Sequence, residues 1–145
     1  MENVYFYNLV EVIILKDVWY LFNEDFYVGK FIYDEEKDEF FSIIESEGEL
    51  TEQAIDRLKL NQGSDMIKFS LEERCFPPNR IDARELLREL GLIEYDRWEI
   101  LKRINLCNVN DNLWISKVKD GSLFFKINPR GLVFDQLKNN NGVII

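Results

Sequence analysis

The chain has no histidine, only two cysteines, Cys75 and Cys107, and three prolines. Its seven glycines are scattered singly. Without histidine a Ser-His-Asp triad, a Cys-His pair and a histidine-rich metal site are all excluded. Two cysteines alone do not make a structural zinc site, and their spacing gives no disulfide framework. Both sit in apolar context, so buried free thiols are expected. No glycine-rich phosphate loop is present. The carboxylate run from Asp34 to Glu39 lacks the alternating spacing and central glycine of a calcium loop. No metal and no cofactor are therefore expected. A spatial carboxylate pair for glycoside cleavage leaves no mark in a sequence, and nothing here points to one.

Long apolar runs are also missing. No segment reaches the roughly 18 residues of a membrane-spanning helix. The first residues, Met1-Glu2-Asn3-Val4-Tyr5, have no basic stretch followed by an apolar one, so no signal peptide is expected. A cytoplasmic location without a membrane partner follows as the expectation.

Positive charge is scarce as well. Eighteen Lys and Arg face 27 Asp and Glu, a net charge of −9 with pI near 4.6. Direct binding to nucleic acid is disfavoured, because phosphates require clustered cations. The imbalance lies in residues 1–65, which sum to −11, whereas residues 66–145 sum to +2.

What is abundant is apolar and aromatic material, 46% and 14% of residues. That is ample for a packed core. At 145 residues one domain spanning 1–145 is expected. It divides into a β-rich acidic part (1–48), a helical part (49–106) and a closing β part (107–145).

Four aromatic and β-branched runs, separated by polar turns, open the chain: 11–15, 18–22, 26–33 and 39–44. Their spacing predicts an antiparallel β-meander, and Gly29 marks a candidate bulge. Residues 51–60 carry Ala54, Ile55 and Leu58 at helical spacing, with Thr51 as the expected cap. A further short helix is expected to stop before Pro77. Asp82 and Asp96 each begin a capping-box pattern, and Gly91 and Asn105 suit left-handed helix ends. Two short helices joined by residues 92–95 then make a helical hairpin. Residues 113–118 and 122–127 flank Lys119-Asp120-Gly121 and read as a C-terminal β-hairpin. The fold class is α+β: N-terminal meander, central helical hairpin, C-terminal β-hairpin.

Three side-chain groups stand out. Arg80, Arg84 and Arg88 form an i, i+4 ladder if the helix starts early. They read either as a docking stripe for an acidic surface or as cations paired with Glu85 and Glu89. Trp98 and Trp114 read as core anchors. The acidic run Asp34, Glu35, Glu36, Asp38 and Glu39 is either solvated turn residues guarding a strand edge or a face that docks a basic partner.

The order of the central stretch resembles the small N-terminal subdomain of HipA-type serine/threonine kinases and its stand-alone, split-system version. Phe76-Pro77-Pro78-Asn79-Arg80 is similar to that family's proline elbow. Tyr95-Asp96 is similar to its helix start, and Asp111 with Trp114 to its final loop; the likeness runs over roughly residues 10–118. The kinase core of that family is far larger than this chain, so kinase activity does not carry over. The resemblance implies a non-enzymatic, antitoxin-like or regulatory subunit that docks on a HipA-like kinase through Phe76, Pro77, Arg80 and Asp111. The alternative from charge alone is an acidic protein of a phage or mobile element. It would block a host nuclease or another basic nucleic-acid-binding protein through its anionic N-terminal half.

Overall fold

The computed structural model describes residues 16–127. The expected strand at 11–15, the loop of three asparagines and the apolar end 143–145 lie outside the described residues.

The meander is present. Strands β1 (Lys16–Asn23), β2 (Phe26–Asp34) and β3 (Glu39–Ile44) pair antiparallel in sequence order. A fourth strand, β4 (Leu113–Ser116), pairs antiparallel with β1, so the sheet order is β3-β2-β1-β4. The register between β1 and β2 slips between Leu21 and Phe22, leaving Val28 as the extra residue beside Gly29. Gly29 has its own reason to be glycine. A Cβ there would run into the carbonyl oxygen of Ile43 on β3, so the close approach of two backbones excludes a side chain.

Four helices follow β3: α1 (Glu49–Leu58), α2 (Ser64–Glu73), α3 (Ala83–Glu89) and α4 (Arg97–Arg103). Their apolar stripes and the facing side of the sheet share one core, with Trp19, Leu21 and Phe31 against Leu58, Ile67, Leu71, Leu86 and Leu101. Trp98 belongs to this core, edge-on to Trp19 and Phe40. Trp114 stacks on Phe22 beneath the opposite face of the sheet, with Cys107 beside them. Both tryptophans are buried anchors, as the sequence suggested.

The helix ends correct some expectations and bear out others. Thr51 does not cap α1; the helix starts one turn earlier, after Gly48. The Thr51 hydroxyl is buried against that of Ser46 at 2.7 Å. Asp96 caps α4, accepting from the Glu99 amide at 3.1 Å. Asp82 sits at the start of α3 but caps nothing, because Arg80 holds its carboxylate at 2.6 Å. Arg80 therefore lies outside the helix, and the arginine ladder 80–84–88 does not form. Gly91 adopts φ 75° after α3, as its position required. After α4 both Asn105 (φ 55°) and Leu106 (φ 65°) are left-handed. That conformation is ordinary for asparagine and strained for leucine.

The C-terminal strand is where the sequence placed it, but its return partner is not a strand. Residues Gly121–Leu123 form a 3-10 turn and Phe124–Ile127 a short helix, α5. Asp120 caps this turn through the Ser122 amide at 3.0 Å. Leu123 and Phe124 then fold onto the Phe22–Trp114 cluster. β4 satisfies its pairing on β1, and the aromatic residues after it serve packing better than a hairpin.

Candidate protein-binding surface

The residues singled out by sequence separate into an interior set and a surface set. Phe76 is buried. Its ring packs edge-on against Tyr95, whose hydroxyl donates to the Phe76 carbonyl at 2.6 Å. The elbow is thus pinned to the start of α4 from inside. Burial, with the neighbouring Cys75 thiol, pushes the Tyr95 phenol up to about 12.

Asp111 is an interior residue as well. Arg74, at the end of α2, grips it with two parallel bonds of 2.5 and 3.0 Å. Side-chain exposure is 4% for Arg74 and 14% for Asp111. The same guanidinium donates to the Leu106 carbonyl at 2.6 and 3.1 Å and to that of Leu113 at 3.3 Å. Arg57 adds an outer partner to Asp111 at 3.2 Å. Burial alone would raise the Asp111 carboxyl, but the Arg74 bonds and charge outweigh it and hold it below the usual range. Arg74 therefore joins α2, the strained Asn105–Leu106 turn and the entry to β4. Nothing in the sequence around Arg74 sets it apart from the other cations. Its partner lies 37 residues away, and no local pattern links the two.

A second hub, unforeseen in the sequence, is Asp17 at the start of β1. It accepts from both indoles, Trp19 at 2.8 Å and Trp98 at 3.0 Å. It also takes two ammonium groups, Lys117 at 2.7 Å and Lys102 at 3.0 Å. Burial pushes its carboxyl upward, and the two lysines more than reverse that. Cavities of about 370 and 310 Å³ open beside Asp17 and Asp111. Both carboxylates are already filled with donors from the fold.

Of the elbow residues, Pro77 is exposed and Arg80 is half-buried beside Asp82. Ile81 and Ile93, before and after α3, stand fully exposed.

The acidic run forms the β2–β3 turn and is itself divided. Asp34 is buried, accepts the Lys37 amide at 3.3 Å and faces Lys16 at 3.9 Å. Asp38 accepts from Tyr33 at 2.8 Å and Lys68 at 3.1 Å, which lowers its carboxyl. Burial and that same bond raise the Tyr33 phenol to about 12. Glu35, Glu36 and Glu39 are exposed and make no ion pair among the described residues. At the other end of β3, Glu45 is held by Tyr27 at 2.6 Å and Lys30 at 3.7 Å. Beyond it Glu47, Glu49 and Glu52 are exposed and likewise unpaired among the described residues. Glu49 and Glu52 occupy the first turn of α1, where the helix dipole favours negative charge. Exposed carboxylates thus bracket β3 at both ends.

Among the described residues no group of three or more Cys, Asp or Glu side chains is placed to hold a metal ion. No described helix is long and apolar enough to cross a membrane. Compared with models of protein families, with curated proteins and with solved structures, the chain matches none of them.

Proposed function

We propose that this chain is a non-enzymatic protein-binding module that docks a basic surface, such as the cationic groove of a nuclease or another nucleic-acid-binding protein. The observation that carries this reading is the set of exposed carboxylates bracketing β3, namely Glu35, Glu36 and Glu39 at one end and Glu47, Glu49 and Glu52 at the other. Carboxylates that stabilise the fold, such as Asp17, Asp34 and Asp111, are turned inward onto cations or N–H donors. Those at the rim make no ion pair among the described residues; only Glu49 and Glu52 serve the fold, through the α1 dipole, and the like charges repel one another. A field of one sign speeds encounter with a cationic partner and turns away polyanions.

A second reading keeps the HipA-like resemblance: a regulatory or antitoxin-like subunit docking a HipA-like kinase by the elbow. The exposed Pro77 and the fully exposed Ile81 and Ile93 favour it, since apolar side chains on a loop suit a protein contact. In this reading Phe76 and Asp111 shape the elbow from within, and Pro77 and Arg80 make the contact.

Affinity capture from a native lysate distinguishes the two when run with two variants. The first reading expects a basic protein retained by the wild type and by Pro77→Ser/Arg80→Gln, and released by Glu35→Gln/Glu36→Gln/Glu39→Gln. The second expects the opposite. A captured protein indifferent to both variants contradicts both readings.

A further inference from the structure

We infer that β3 accepts an extended, lysine- or arginine-bearing segment of the partner as a fifth strand of the sheet. This rests on the reading of the acidic rim as the binding face and adds a mode of contact to it.

The two edges of the sheet are finished differently. On β4 the outer edge is answered by Asn105. Its carbonyl accepts from the Ile115 amide at 3.0 Å, and its side-chain amide donates to the Ile115 carbonyl at 3.0 Å. One buried asparagine thus imitates a neighbouring strand and closes that edge.

Among the described residues the outer edge of β3 is closed only at its start, where the Phe40 amide donates to the Ser64 hydroxyl at 2.8 Å. Antiparallel pairing alternates inward and outward backbone groups. With Phe40 facing out, Phe41 and Ile43 face β2, and so does Glu45, whose amide reaches Val28 at 3.0 Å. Ser42 and Ile44 therefore present their N–H and C=O groups outward, with no partner among the described residues. An unpaired strand edge is a template for another strand, and proteins commonly block one with proline or lysine. Glu39–Ile44 contains neither. Ile43 and Ile44, both exposed, offer apolar contact on the two faces of an added strand.

Charge selects the occupant. β3 is roughly 17 Å long at about 3.4 Å per residue, with Glu35, Glu36 and Glu39 at one end and Glu45 and Glu47 at the other. A second copy of β3 would bring carboxylates against carboxylates, and an acidic or neutral segment would gain nothing from them. A short segment with cations near its ends and apolar residues between them meets both the backbone edge and the charges, the usual division of labour in strand addition.

The test uses the full chain and a short synthetic peptide with lysines at both ends and valines between them. A second peptide of the same sequence is N-methylated on the amides of one edge. Hydrogen exchange read by NMR should slow at the Ser42 and Ile44 amides when the first peptide binds. The N-methylated peptide should bind at least about tenfold more weakly, the loss expected for two or so hydrogen bonds. Equal binding of the two peptides, with Glu35→Gln/Glu36→Gln/Glu39→Gln weakening both, overturns strand addition and leaves the acidic face standing. Failure of the unmethylated peptide to bind, or binding indifferent to those substitutions, overturns the strand and counts against the acidic face too. Protection of Ser42 and Ile44 that grows with protein concentration alone assigns the edge to a second copy and also overturns the inference.

Discussion

Replacing Asp111 by asparagine should destabilise this protein far more than a loop substitution normally does. The change keeps the shape of the side chain and removes its charge, leaving the Arg74 guanidinium buried without a counterion. Breaking a buried pair by neutralising one partner costs about 3–5 kcal/mol. Asp111 keeps 14% side-chain exposure and a second, outer cation in Arg57, so about 2–4 kcal/mol is expected. For a chain of this size that corresponds to a fall in Tm of roughly 6–16 °C. Arg74→Met should do more harm. It also strips the Leu106 and Leu113 carbonyls of donors, at about 1–3 kcal/mol for each acceptor left buried, and releases the left-handed turn at Leu106. Urea denaturation followed by circular dichroism reads both. The double variant Arg74→Met/Asp111→Leu should be less damaging than the sum of the two single changes at these positions. Acid supplies an internal check. The Asp111 carboxyl is held below its ordinary value in the folded chain, so the unfolded chain binds its proton first. The stabilisation is complete above about pH 4 and fades as the pH falls through the lowered folded value. The gap between wild type and Asp111→Asn should therefore be constant near neutrality and close in acid. An Asp111→Asn protein within about 0.5 kcal/mol of wild type at neutral pH, the range of an ordinary surface change, would refute this account of the Arg74–Asp111 pair.

Other consequences follow from single contacts. Asp17→Asn removes the shared counterion of Lys102 and Lys117 and, because Trp19 and Trp98 donate to different carboxylate oxygens, leaves one of the two indoles facing an NH2 group. It should lower stability by about 1–2 kcal/mol after allowance for partial exposure, as read by thermal unfolding, and a neutral result would show that the two tryptophans need no anion between them. Gly29→Ala should separate β3 from β2 and cost about 2 kcal/mol or more, since the new methyl meets the Ile43 carbonyl; unchanged exchange rates in the Phe41 and Ile43 amides would contradict it. Both thiols are free and their acidities are weakened, Cys107 to about 12, with burial the leading cause for each. Maleimide should label neither quickly at neutral pH and both in denaturant, and rapid labelling of folded Cys107 would show that its burial is misjudged.

Local chemistry was legible in the sequence where a single residue decides the outcome. Gly91 and Asn105 take the left-handed positions their types favour, Asp96 caps its helix, and alternating aromatic runs make the meander. The sequence misled where two local signals compete. Asp82 has the composition of a cap, but Arg80 two residues earlier is a stronger partner than a backbone amide. Residues 122–127 are aromatic enough for a strand, yet β4 already has β1 beside it, and Leu123 and Phe124 are drawn onto Phe22 and Trp114. What the sequence could not show is the long-range pairing. Arg74 with Asp111, and Asp17 with both indoles and both lysines, join residues whose proximity exists only after folding. The same holds for the acidic run. Composition placed five carboxylates together, and the fold then took Asp34 and Asp38 for itself and left Glu35, Glu36 and Glu39 at the surface.

The claim that this chain works through an anionic contact face is tested most directly by calorimetric titration of a captured partner at low and at high salt. The titration is run with the wild type and with Glu35→Gln/Glu36→Gln/Glu39→Gln. Exposed charges across an interface are screened over about 8–10 Å at physiological ionic strength. Wild-type affinity should therefore fall steeply as salt rises, and the substituted protein should bind weakly with a shallower dependence. Equal affinities for the two proteins, insensitive to salt, would contradict the account.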